Sequence, residues 1–317
     1  MNLGKFFLLA IIFSLGFTVS NAQLTYSELQ VMYDSAWNFK NLQMIPIKFK
    51  PKGDGGPTIS GDLTTRPISF SEALQKHKIK VQEMQYENGA DVNLLQVTNH
   101  SKQNIVVQGG EILEGGKQDR MVGETKYIAP GTTDYIEVYC VEKRRWSPKA
   151  KDFKHQGMAN REVQKAMNLS KRQSQVWKEI DKEFKAVNKT SETWSYLELY
   201  NNRVTVDTSY INFFTRKYVE SDSNIGGFIF ITDNKIMSTE IFAGNSLLDV
   251  TFANMLTSYV QSAVSNGAKP TVSIAMQKQF MDEILTSEEG QKLYLIAHGR
   301  SHKGSDGKTI HLIAYPE

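Results

Sequence analysis

The sequence predicts an α+β fold: an antiparallel, β-rich N-terminal half of sandwich or barrel type, a helical middle segment, and an α+β C-terminal part with two hairpins and two helices. Three observations carry that prediction. Between Ile79 and Glu142, short stretches suited to strands are separated by turn formers, Asn88-Gly89, Asn99 and Pro130-Gly131, the pattern of consecutive antiparallel strands. At Lys143 the composition turns to Lys, Arg, Gln and Glu, and Val163, Ala166, Met167, Val176, Ile180 and Phe184 recur at helical spacing up to Lys189. Further on, two apolar stretches flank Asp233-Asn234 and are followed by apolar runs of helical length.

Taken in order, residues 24–50 begin ambiguously. Thr25 and Glu28 fit a capping box for a helix through Trp37, yet the same residues alternate acceptably as a strand. Leu42–Lys50 reads as extended, and the Lys52–Thr58 stretch as a mobile surface connection. Ser69 and Glu72 predict a short helix to about His77, the hydroxyl taking a backbone amide three residues on. Strands are expected at Ile79–Tyr86, Val92–Thr98, Asn104–Gln108, Arg120–Ile128 and Asp134–Glu142. The segment from Lys143 to Lys189 is expected to be amphipathic helix with a solvated charged face, with further helical turns at Trp194–Tyr200 and Tyr210–Val219. A hairpin over Gly227–Phe242, helices over Ser246–Val264 and Val272–Leu285, and a last hairpin pairing Lys292–His298 with Thr309–Tyr315 complete the chain. The expected organisation is a signal segment at 1–22, a β-rich region with a helical extension at 23–190 and an α+β region at 191–317, with a soft boundary that allows one continuous domain.

The first 22 residues have the three-part layout of a cleavable export signal: Lys5, the apolar run Phe6–Phe17, and small residues before a cut after Ala22. No cysteine stands at the cut for lipid attachment, and no later apolar stretch is long enough to span a bilayer. The mature chain is therefore expected to be secreted or periplasmic, without a membrane anchor. Formal net charge is +3, one lower once Lys5 is removed, too weak a bias to suggest nucleic acid as a partner. Cys140 is the single cysteine, so no internal disulfide forms; it shares a strand face with Ile136 and Val138 and is expected as a buried, inert thiol.

Two polar clusters draw attention. In Gly109–Arg120 (GGEILEGGKQDR), paired glycines bracket carboxylates, and glycine permits the positive φ and close approach with which backbone amides cradle an anion. Dinucleotide and P-loop spacings are both missing. If Lys117–Arg120 is extended, Lys117 and Asp119 face one way and Gln118 and Arg120 the other; a β-bulge with a surface ion pair is the plain alternative. In Cys140–Trp146 (CVEKRRW), alternation turns Glu142 inward, where a carboxylate needs a partner; Arg120 or Arg145 is the natural fork. His298, His302 and His311 come from one hairpin but lack carboxylates or cysteines at ligand spacing, so neither a metal nor a cofactor is expected. Asn99, Asn168 and Asn188 open Asn-x-Ser/Thr triplets.

In this order, the two clusters resemble a family named for its association with ADP-ribosylglycohydrolases and rhodanese-phosphatases. Gly110, Glu111, Leu113, Gly115, Lys117, Gln118, Asp119 and Arg120 match the family's first pattern, and Cys140, Val141, Glu142, Arg145 and Trp146 its second; Arg144 stands where the pattern has glycine. The resemblance implies an ADP-ribose or nucleotide-linked setting and no particular reaction. Glu111, Lys117, Gln118, Asp119, Arg120, Glu142, Arg145 and Trp146 are thus expected to line one polar pocket for a small anionic or sugar-phosphate-type ligand. Two alternatives stand beside that reading. One is a hydrolase with Glu111 or Glu142 as general base and Arg120 or Arg145 stabilising developing charge. The other is a structural or protein-interaction module held by a buried ionic network.

Overall fold

A computed structural model of the chain describes residues 24–51, 66–86, 89–145, 151–200, 207–221 and 224–317. The export segment, the Lys52–Thr58 connection and Trp146 lie outside the described residues.

The largest sheet draws on both ends of the chain. Its order is β1 (Leu29–Val31), β3 (Leu42–Phe49), β13 (Ile225–Thr232), β14 (Lys235–Phe242), β16 (Thr309–Ala314) and β15 (Gly299–Lys303), with β2 (Trp37–Phe39) pairing β3 beside β1. Its described strand pairs are all antiparallel. Central β13 reads as an unbroken apolar run because both its faces are covered. Ile45, Ile47, Ile229, Ile231, Ile241 and Leu312 pack on one side with Phe280, Met281 and Ile284 of α7 (Ile274–Leu285) and Leu295 of α8 (Glu288–His298). Met44, Phe228, Phe230 and Phe242 pack on the other with Tyr210 and Phe214 of α5 (Thr208–Glu220) and Phe252, Leu256 and Tyr259 of α6 (Asn245–Asn266). The period-two split of these residues is what strand geometry demands. Each buried aromatic or branched side chain contributes about 1.5–3 kcal/mol.

The β-rich unit is a curled sheet, β12 (Lys151–Met158), β8 (Glu111–Gly116), β9 (Arg120–Val122), β11 (Thr133–Cys140), β6 (Gly89–Asn99) and β5 (Ile79–Tyr86), closed over by the small sheet β10 (Lys126–Ile128), β7 (Ile105–Val107) and β4 (Ile68–Ser69). Val97, Ile105, Val107, Leu113, Val122, Ile136 and Val138 fill the space between, with Phe70 and Ala73 of α1 (Phe70–Gln75). Ser69 caps α1 as expected, its Oγ accepting from the Glu72 amide at 3.2 Å. Outside the curled sheet, Ile112, Met121 and Val141 meet α2 (Arg161–Ser170), α3 (Gln173–Ala186) and α4 (Tyr196–Tyr200) through Val163, Met167, Val176, Ile180, Phe184 and Leu197.

Three expectations change, and one open alternative closes. Residues 29–39 form short strands around a 3-10 turn, not a helix. The expected strand Arg120–Ile128 breaks at Gly123–Thr125 and its halves enter different sheets, the corner by which one chain serves two layers. Lys151–Met158 is an edge strand, not helix; water on one side permits its polar composition. Finally, 288–298 is helical and the last hairpin is Gly299–Lys303 with Thr309–Ala314. Ser287 caps that helix by accepting from the Gly290 amide at 3.1 Å, and only Gln291 and Leu295, four apart, are buried. Leu293 and Ile296 are 64% and 79% exposed, which is why the sequence imitates an alternating strand.

Candidate functional site

The signature residues lie where β8 turns into β9. Gly115 has φ +130°, and a Cβ there would stand 2.4 Å from the Asp152 carbonyl oxygen of the neighbouring strand, so only glycine fits. Gly116, at φ +54°, completes the turn. Because Lys117–Asp119 bend instead of extending, the expected alternation fails, and the Gln118, Asp119 and Arg120 side chains are all buried together. Glu142 lies just beyond β11, bridged to Ser195, which brings the second stretch against the first.

Arg145 joins them. Its Nε donates to Glu142 Oε2 at 2.6 Å and its Nη2 to Asp119 Oδ1 at 2.9 Å. Asp119 also accepts from the Gly115 amide at 3.1 Å and the Ser195 hydroxyl at 3.0 Å. Glu142 Oε2 accepts from the Asp119 amide at 3.2 Å, and its carbonyl from Gln118 Nε2 at 2.9 Å. Arg120 donates through Nη1 to Gln118 Oε1 (3.2 Å) and to Cys140 Sγ (3.1 Å), and through Nη2 to Glu83 Oε1 (3.4 Å). Glu83 Oε1 also takes the Lys117 amide at 2.8 Å. Gln173 brackets the backbone of Cys140, accepting from its amide and donating to its carbonyl, so α3 is pinned to β11.

Three carboxylates thus face two guanidiniums, all nine-tenths or more buried except Arg145, whose side chain is 24% exposed. Burial pushes the Asp119 carboxyl up from its ordinary value, with neighbouring Glu142 adding to it against the Gly115 amide, Ser195 and Arg145. Burial likewise pushes the Cys140 thiol up, Arg120 opposing, which keeps it protonated and unreactive. Sequence reasoning missed Glu83, although Val81 and Glu83 share a strand face and an inward carboxylate beside valine is the signal that finds it.

Glu111 does not join this cluster. It sits at the far end of β8, where its Oε2 accepts from the Gln108 amide at 2.8 Å and its Oε1 from Asn254 Nδ2 at 3.2 Å, with His155 Nε2 3.1 Å from Oε1. Of the glycosylation triplets, Asn99 and Asn168 are buried and hydrogen-bonded, which leaves Asn188 as the exposed one.

A second ionic cluster escaped the sequence reading. Arg161, the first residue of α2, meets Glu240 of β14, Nη1 to Oε1 at 3.0 Å. Tyr259 donates its hydroxyl to Glu240 Oε1 at 2.7 Å, and His311 Nε2 lies 3.1 Å from Oε2. His311 Nδ1 is 3.0 Å from the Thr125 hydroxyl, and the Thr125 amide donates to His302 Nδ1 at 3.1 Å, tying the large sheet to the β9–β10 corner. The guanidinium stacks on Tyr259, 4.3 Å from the ring centroid. Burial raises Glu240, but Arg161, His311 and Tyr259 outweigh it and hold the carboxyl below its ordinary value. The signal for this cluster is Glu240 itself, a carboxylate inside the buried hairpin Ile225–Phe242 that must have a partner.

The family model for the ARG and Rhodanese-Phosphatase-superfamily-associated Protein domain, ARPP-1, matches residues 30–313. No curated protein and no solved structure matches the chain.

Proposed function

The chain belongs to the ARPP-1 family, and for this member we propose an exported, non-catalytic protein that binds a small anionic ligand of sugar-phosphate type, with the signature residues serving as an ionic clasp that holds its scaffold. Export rests on the layout of residues 1–22. The observation that carries the clasp is Arg145, whose fork spans Glu142 and Asp119 at 2.6 and 2.9 Å. A general base needs a free acceptor facing substrate, and one of the two Glu142 carboxylate oxygens, Oε2, already accepts from both Arg145 and the Asp119 amide. An anion at the clasp would compete with three carboxylates for two guanidiniums, so the ligand belongs elsewhere in the fold.

A melting experiment tests both halves. Glu142→Gln should unfold at clearly lower temperature, losing about 1.5–3 kcal/mol for a buried charge-assisted hydrogen bond, and wild-type melting would contradict the clasp. Wild-type protein should melt higher with sugar phosphates, nucleotides or ADP-ribose; no shift with any of them contradicts the binding half.

A further inference from the structure

Beside the second ionic cluster the surface opens into a cleft of about 200 Å³ between α2, α6 and the turn of the β13–β14 hairpin. Drug-sized ligands occupy sites of roughly 300–1,000 Å³, so the occupant here is compact. Three cations line the cleft, Arg161, Lys165 and Lys235, against the single carboxylate of Glu162. Arg161 is buried and its guanidinium is taken up by Glu240, Gln164, Ser238 and Tyr315, so the open charge of the cleft lies on the lysines. Lys165 is half-buried over the Tyr315 ring, 5.4 Å from its centroid, and makes no hydrogen bond or ion pair among the described residues. Burial holds its ammonium below the usual lysine range, with Lys235 adding repulsion and Glu162 opposing. Positive charge here is therefore partly desolvated and short of counter-charge, the reverse of the balance at the signature clasp.

The other wall groups set the ligand's shape. Glu162 accepts from the Ser262 hydroxyl at 2.8 Å and retains capacity for further donors. Ile236 and Met237 supply an apolar side. A ligand that satisfies all of these has a compact anionic head for the lysines and hydroxyl donors close behind it for Glu162.

We propose that this cleft is the protein's anion site and that it takes the phosphate group of a small sugar phosphomonoester, Lys165 and Lys235 clasping the phosphate and Glu162 accepting from a sugar hydroxyl. The assignment rests on the binding reading above and gives it a place.

Calorimetric titration of the full chain with ribose 5-phosphate, inorganic phosphate and ribose tests it, using wild type, Lys165→Gln, Lys235→Gln and Arg145→Gln. Both lysines are at least partly solvated, so their variants should keep the wild-type melting temperature. Ribose 5-phosphate should bind more tightly than inorganic phosphate, ribose should not bind, and each lysine variant should weaken the sugar phosphate about ten-fold. Unchanged affinity in both lysine variants overturns the placement while leaving the binding reading intact. Loss of binding in Arg145→Gln alone, at wild-type melting, would also overturn it and move the anion to the signature turn. Failure of every probe with wild-type protein overturns the binding reading together with the placement.

Discussion

The two buried ionic clusters use the same chemistry and reach opposite balances. At the signature clasp, Glu83, Asp119 and Glu142 outnumber Arg120 and Arg145, and the Asp119 carboxyl is pushed toward protonation, first by burial and then by neighbouring Glu142. At the second cluster, Glu240 is shared by Arg161, His311 and the Tyr259 hydroxyl, and is held ionised. The first is assembled mostly from neighbouring turns of one β unit. The second ties α2 to β14, β16 and α6, elements far apart in the chain. Clustering of charged residues in a sequence therefore marks where charges pair with one another. Uncompensated positive charge lies beside the cluster whose members are scattered.

That contrast can be broken in order of expected effect. Arg161→Ala should cost most, about 3–5 kcal/mol in denaturant unfolding, because it strands Glu240 in a buried site. A loss under about 1 kcal/mol would mean that water or neighbours compensate Glu240 and that the second cluster is no tighter than a surface pair. Gly115→Ala should follow, with about 1–3 kcal/mol from the positive φ alone and an added clash with the Asp152 carbonyl. It should also loosen the Arg145 fork, seen as faster amide exchange at Gly115 and Asp119; unchanged exchange would uncouple the turn from the clasp.

Acidification should separate the clusters more gently. Burial, then His311, Arg300 and Lys171, hold His302 well below the ordinary histidine value. A depressed folded value means that the unfolded chain takes the proton first, so the stabilisation is present above about pH 6.5 and declines as pH falls toward the folded value. Asp119 has the opposite sign: its folded value is raised, so its burial costs stability above that value and acid relieves the cost. Melting temperature should therefore drop from pH 7 to pH 5.5 in wild type and drop less in His302→Gln. An equal drop in both would remove His302 from the balance.

Much of the fold was legible because it rests on local signals. The Ser69 cap, the hairpin around Asp233-Asn234, the long α6 and the inward face of Cys140 and Glu142 all follow from short-range pattern. So does the need of Glu142 for an arginine, and of the two candidates Arg120 and Arg145 the structure takes Arg145. Helix α8 was misread because its burial is thin and two large apolar residues face water. Glu111 was grouped with the clasp through closeness in sequence, yet a six-residue strand carries it to the opposite end. Arg161 and Lys165 were lost among the charges of an amphipathic segment, since spacing gives no sign that a charged helix residue will meet a carboxylate buried in a distant strand.

A double-mutant cycle on Glu142 and Arg145 tests the clasp most directly. Unfolding free energies of wild type, Glu142→Gln, Arg145→Gln and the double variant should give a coupling of about 1–3 kcal/mol, with the double variant more stable than the sum of the single losses predicts. Additive losses, with no coupling, would show that Arg145 does not hold Glu142 and would contradict the account.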